Sequence, residues 1–227
     1  MVKEISVIKE SSIRKPKLLI VEGNHERDFF TKWLEILNKD NIQVIPIGGK
    51  TRFKDTFVEL VQQPEILNVI SILIIRDADD NPSSAFQSVC DALKSDRATK
   101  FLEDIDITLQ LPKSAWTFTQ NTTPKIGIAI LPAKDQIGAL EELLLQTVPD
   151  DPMTGKSYQF IDDAIITLNN PSSRRPPPSH RIGKARVHAF LATFKHPDRD
   201  QGKAALDNVW NFQHKSLDSL RAILEEL

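Results

Sequence analysis

The stretch VISILII at positions 69–75 is the most apolar run in the chain, and it stops abruptly at RDADDNP. A short aliphatic run bounded by charge and proline reads as a strand buried on both faces, the condition of a central strand in a parallel sheet. A second such run, KLLIV at 17–21, ends in Glu22-Gly23-Asn24. Between the two lies a helix over 25–37, capped by Asn24, in which Phe29, Phe30, Trp33, Leu34 and Leu37 recur at helical spacing. A strand at 42–47, a Gly48-Gly49-Lys50 turn and a helix at 53–62 ending near Pro64 complete the interval, and a helix at 84–93 follows the acidic turn.

Strand and helix alternating in this way predict a parallel sheet with right-handed crossovers. Strands at 116–119 and 125–131 and a helix at 137–145 are expected to join the same layers. Beyond Pro149 the character changes: NNPSSRRPPPSH at 169–180 reads as an exposed loop, and helices follow near 184–194, 202–210 and 216–226. The expected fold is therefore α/β, a mostly parallel sheet flanked by helices. It divides into an N-terminal segment (1–16), a core (17–148) and a helical C-terminal extension packed on that core (149–227).

Composition narrows the class. With 40% hydrophobic and 26% charged residues, the chain can bury a core and is not a disordered one. Cys90 is the only cysteine, which rules out an intramolecular disulfide and a zinc-thiolate cluster. The opening segment MVKEISVIKESSIRK lacks the apolar core of a signal peptide, and no run is long enough to span a bilayer, so the expected compartment is the cytoplasm, with no membrane partner. A net charge of -2, from 29 basic and 31 acidic side chains, argues against a protein that coats duplex DNA. It leaves room for a local basic surface that touches nucleic acid transiently.

Ligands of open parallel sheets bind beyond the carboxyl ends of the strands. Glu22 leaves the first strand at that edge, and Asp77 and Asp79 leave the third. Glu26, four residues after Glu22, is placed by its helix near the same edge. Carboxylates gathered there repel one another unless a cation offsets them, and hard oxygen donors of this type suit magnesium or manganese. Each acid also has an ordinary reading: a helix cap or solvated turn residue for Glu22, a surface residue for Glu26, turn chemistry before Pro82 for Asp79, Asp80 and Asn81.

LLIVEG followed by IIRDADD resembles the Toprim signature, a glutamate after the first strand and Asp-x-Asp after the third. Toprim domains occur in topoisomerases, bacterial primases, the ribosomal RNA maturase and OLD-type nucleases, and the Glu22/Glu26 spacing is similar to a paired glutamate in the OLD-type branch. More closely, VEG, IGGK, RDADDNP, ILPAKDQIGALEELLL and SHRIGKARVHAFL resemble an uncharacterised bacterial Toprim-related family, from Lys17 to about Phe194. The resemblance implies a Toprim-like sheet in which Glu22 is a general base or metal ligand, Asp77 and Asp79 hold magnesium or manganese, and Glu26 is a further ligand. It also implies a role for a later acidic helix and a lysine, which here match Glu141, Glu142 and Lys184. Adjacent on one helix, Glu141 and Glu142 point in different directions, so one is expected to be a plain surface residue.

Other signals are set aside. Gly49-Lys50-Thr51 imitates the end of a phosphate loop, but Val44 stands where its first glycine is required. A phospho-accepting receiver domain needs an acidic pair where this chain has Glu22-Gly23. Tyr158 is the only tyrosine, which gives no support to a topoisomerase. Arg174, Arg175, His180, Arg181, Lys184 and Arg186 form a basic cluster able to steady a phosphate backbone, with Lys50 either facing the site or solvated. The leading expectation is metal-dependent phosphodiester cleavage or transfer on DNA or RNA. The rival is a non-catalytic nucleotide- or nucleic-acid-binding module or defence-system subunit. A separate ATPase or other protein partner would favour the rival, because OLD-type Toprim domains are usually fused to an ATPase.

Overall fold

Alternate residues of the central strands serve two different cores. In the computed structural model, which describes residues 12–168 and 175–227, strands β1 (Lys17–Val21), β2 (Ile42–Pro46), β3 (Ser71–Asp77), β4 (Thr117–Phe118) and β5 (Lys125–Leu131) form one sheet ordered β2-β1-β3-β5-β4. All pairings are parallel except β4 with β5. Leu19, Val21, Leu73, Ile75, Ala129 and Leu131 enter one core, while Leu18, Ile20, Ile72, Ile74, Ile128 and Ile130 enter the other. That is the two-residue period of a pleated strand expressed on two buried faces.

The first core lies under α1 (Asn24–Ile36), which contributes Phe29, Phe30, Trp33 and Leu34. The second lies under α2 (Phe53–Val61), α3 (Pro82–Leu93) and α4 (Asp96–Glu103). Because β1 pairs with both β2 and β3, the chain leaves it toward one side by α1 and returns past it by α2 on the opposite face. The carboxyl ends of β1 and β3 thus flank a topological switch point, the place where open α/β sheets offer a crevice.

Among the described residues, the elements after β5 are helical: α5 (Leu140–Leu144), α6 (Pro152–Leu168), α7 (Ile182–Leu191), α8 (Gln201–Leu206) and α9 (Asp218–Glu226). Val187, Phe190, Leu191, Ala204, Ala205, Leu220 and Leu224 are buried in the first core beside β1 and α1. Among the described residues no helix is long and apolar enough to cross a membrane. Several expectations shift. The third strand begins two residues later than the apolar run and continues through Arg76 and Asp77, which pair with Ile130 and Leu131 of β5. Gly23 caps α1 in place of Asn24. Helices α4 and α6 had no clear signal in the sequence, and α5 is a single short turn of the helix expected there.

Gly202 marks a close backbone approach between α8 and α1. A Cβ at this position would lie 2.4 Å from the backbone oxygen of His25 in α1. Backbone cannot step aside like a side-chain tip, so Gly202→Ala should cost about 1–3 kcal/mol through overpacking. For a chain of this size that lowers Tm by about 2–4 °C per kcal/mol, read by thermal melt. An unchanged Tm would mean that α8 sits more loosely on α1 than described.

Candidate metal and phosphate site

A cleft of about 590 Å³ opens at the switch point, lined by Glu22, Glu26, Asp77, Asp79 and Glu141 together with Lys50, His25, His180, Arg181 and Lys184. Each acid arrives by a different local device. Glu22 follows the last ladder residue of β1, and its backbone oxygen accepts from Gly49 N at 2.8 Å. Glu26 is carried by the first turn of α1. Asp77 is itself the last ladder residue of β3, and its Oδ1 accepts from Leu140 N at 3.1 Å, at the start of α5. Asp79 adopts a φ of 50° and is clamped by paired backbone hydrogen bonds to Gly138 (2.9 and 2.8 Å). Glu141, on α5, is only 4% exposed, and Gln201 Nε2 donates to its Oε1 at 3.0 Å.

Three of these acids carry raised pKa values. At Glu22, burial is the main cause, reinforced by Asp79 and Glu26 and opposed by Arg76. Burial also dominates at Asp77, held well above the usual carboxylate range, with Glu141, Glu22, Glu26 and Asp79 adding repulsion. Glu141 is raised by burial first, with its own backbone hydrogen bond and the Lys184 charge pulling the other way. In each case burial and like charge make ionisation more costly, a cost that a bound cation would offset.

The cations at hand belong to the chain. Lys50 Nζ lies 2.9 Å from Asp79 Oδ2. Arg76 Nε lies 3.3 Å from Glu22 Oε1, but the alignment is poor, and both atoms are buried without a hydrogen bond. Among the described residues no three acid, histidine or cysteine side chains already close around one point. The acids nevertheless fit a hard divalent cation: they offer carboxylate oxygens at the strand edge, one of them buried without a hydrogen bond.

The remaining expected residues divide. Lys184 and Arg181 line the cleft from the start of α7, and Lys50 lines it from the turn after β2. Glu142 does not enter. Its Oε2 accepts from Ala139 N at 2.7 Å, and its carboxylate packs against Gly183, so it is a local cap and not the surface residue expected of one member of the pair. Arg186 is tied to Asp162 at 2.6 Å and lies over the Tyr158 ring. Arg175 is exposed, and Arg174 lies outside the described residues. The sequence reading assigned no role to Arg76, His25 or Gln201. Arg76 was legible inside RDADD. His25, paired with Asp200 at 3.1 Å, and Gln201 depend on where α8 seats against α1, a placement that the expected packing of the C-terminal extension on the core does not specify.

A family model described as "Protein of unknown function (DUF3226)" matches residues 16–227. No curated protein matches the chain. Among solved structures, the C-terminal region of the Burkholderia pseudomallei OLD protein is similar at 16% identity, with 94% of this chain and 99% of that one covered and a TM-score of 0.42. The C-terminal region of the Xanthomonas campestris pv. campestris OLD protein phased with mercury is similar at 14% identity, with 95% and 99% covered and a TM-score of 0.37. At these TM-scores any functional reading has to rest on the cleft itself.

Proposed function

The chain belongs to the DUF3226 family, and we propose that its cleft is a Toprim-type magnesium or manganese site for cleavage or transfer of nucleic-acid phosphodiesters. The observation that carries this reading is the meeting of five carboxylates with Lys50, Arg181 and Lys184 in one crevice at the switch point of the sheet. Acids alone would suit a cation and bases alone an anion. A cleft holding both suits a phosphate bound through a metal.

Asp77 and Asp79 would hold the cation, with Glu22, Glu26 and Glu141 beside them. When bound, the metal would polarise the phosphate and make water a better nucleophile near neutral pH. Glu22, its proton affinity raised by burial, takes a proton from the attacking group. Asp77 is oriented by Leu140 N, and Glu141 by Gln201. Arg181, Lys184 and Lys50 would steady the phosphate oxygens.

A non-catalytic binding module remains the second reading, favoured by the contacts of Lys50 and Arg76 with the acids, which neutralise part of the cleft from within. The two readings separate in one experiment. Purified protein given manganese or magnesium should nick or degrade at least one of supercoiled plasmid, linear DNA, single-stranded DNA and structured RNA. Chelation and Glu22→Gln should both stop it. Binding without cleavage on all four substrates would overturn the enzymatic reading and leave the binding module.

A further inference from the structure

Two basic side chains form ion pairs with acids of the cleft, and they are built differently. Arg76 is held in place: its side chain is 12% exposed, and its Nη1 donates to Ser88 Oγ at 2.9 Å. Lys50 is not. It stands after Gly48 and Gly49, whose φ values of 76° and 100° suit glycine, and its side chain is 55% exposed where it meets Asp79. An ion pair this open to solvent is weak and exchanges easily. Asp79 has little freedom of its own, because both its backbone N–H and its carbonyl are hydrogen-bonded to Gly138. If the partners separate, Lys50 is the one that moves.

We propose that Lys50 is a displaceable placeholder, whose ammonium neutralises Asp79 in the metal-free protein, yields that carboxylate to a divalent cation, and is thereby freed for the phosphate of an incoming nucleic acid. This rests on the reading of the cleft as a cation site and adds an ordering device to it. Once released, the ammonium lines the cleft with Arg181 and Lys184, and the three cations together attract an anionic ligand whose phosphate offsets their mutual repulsion. Metal and nucleic acid would then bind cooperatively, each strengthening the other by the same factor.

The test is a double-mutant cycle read by manganese affinity, with free manganese followed by electron paramagnetic resonance and folding checked by thermal melt. Wild type, Lys50→Met, Asp79→Asn and the double variant are titrated. Lys50→Met should bind manganese roughly two- to fivefold more tightly than wild type, the scale of an exposed ion pair. The gain should disappear in the Asp79→Asn background, where neither protein binding manganese would count as that disappearance. Unchanged or weaker binding by Lys50→Met overturns the placeholder. An equal gain in both backgrounds also overturns it, since that is a general field effect. If none of the four proteins binds manganese, the cation site itself fails and the placeholder falls with it.

Discussion

Replacing Asp77 by asparagine is expected to stabilise the metal-free protein at neutral pH and to remove the stabilisation that manganese confers. The Oδ1 atom that accepts from Leu140 N survives in asparagine, so the cap on α5 is kept while the charge is lost. Burial, and then Glu141, Glu22, Glu26 and Asp79, hold the Asp77 pKa well above its ordinary value of 3.8. Below that value the folded and unfolded chains are both protonated at Asp77. As pH rises, the unfolded chain ionises first while the folded one keeps its proton, so stability falls from about pH 4 upward until the folded group ionises too. Asp77→Asn should flatten that decline. Manganese at about a hundred times its Kd should stabilise wild type by roughly 2.7 kcal/mol. For a chain of this length that is about 5–10 °C in Tm. In Asp77→Asn the shift should vanish. A variant that melts below wild type without metal, and keeps the manganese shift, would show that Asp77 is a structural cap and no ligand.

The parts of the fold legible in sequence are those whose burial is periodic. The strands β1 and β5 end where their apolar runs end, since each is buried on both faces. Helix α1 announces itself because Phe29, Phe30, Trp33 and Leu34 make one continuous stripe. The longest helix, α6, does not: only Thr154 and Ser157 are buried along it, Gly155 interrupts it, and Phe160 and Ile166 are exposed at 65% and 70%. Without a stripe there is no period to read. The boundary of β3 was misplaced for another reason. Apolarity marks what is buried, whereas the ladder with β5 decides what is strand, and it carries Arg76 and Asp77 in spite of their charge. That difference makes Asp77 the last residue of the strand, two positions beyond the end that apolarity marks.

For the site, order along the chain was enough to bring Glu22, Glu26, Asp77 and Asp79 to one edge, because a parallel sheet sends every carboxyl end the same way. What stands across the cleft from that edge was harder to read. Glu141 and Glu142 are neighbours with opposite fates, one buried in the cleft and one capping Ala139, decided by how α5 seats on Asp77 and Gly183. Arg186 shares the basic run with Arg181 and Lys184 but stacks on Tyr158 of α6, and that helix was not foreseen. Charge runs therefore overstate a binding surface when a helix turns some of their members toward other partners.

With the cleft acting on phosphodiesters as proposed, Lys184→Ala should slow cleavage roughly a hundred- to a thousandfold, with little change in manganese affinity. Lys184 is the third residue of α7, behind Ile182 and the buried Gly183, so its Cα is fixed close to the helix N-terminus. Its side chain is exposed yet lines the cleft, and its charge reaches Glu141 strongly enough to oppose the upward shift there. An ammonium in that position, beside backbone N–H groups at the positive end of a helix, offsets negative charge that grows on the phosphate during reaction. Loss of one such donor typically costs about 2.7–4 kcal/mol of transition-state stabilisation. The loss should fall on kcat, because the developing charge exists only in the transition state. Lys50→Ala, by contrast, should act on nucleic-acid binding and reduce its salt dependence by about one phosphate contact. Thermal melts of both variants would exclude misfolding, since neither lysine belongs to a hydrophobic core. If Lys184→Ala cleaves at the wild-type rate, Lys184 is a solvated lysine beside Glu141, and the chemistry belongs to the acidic edge alone.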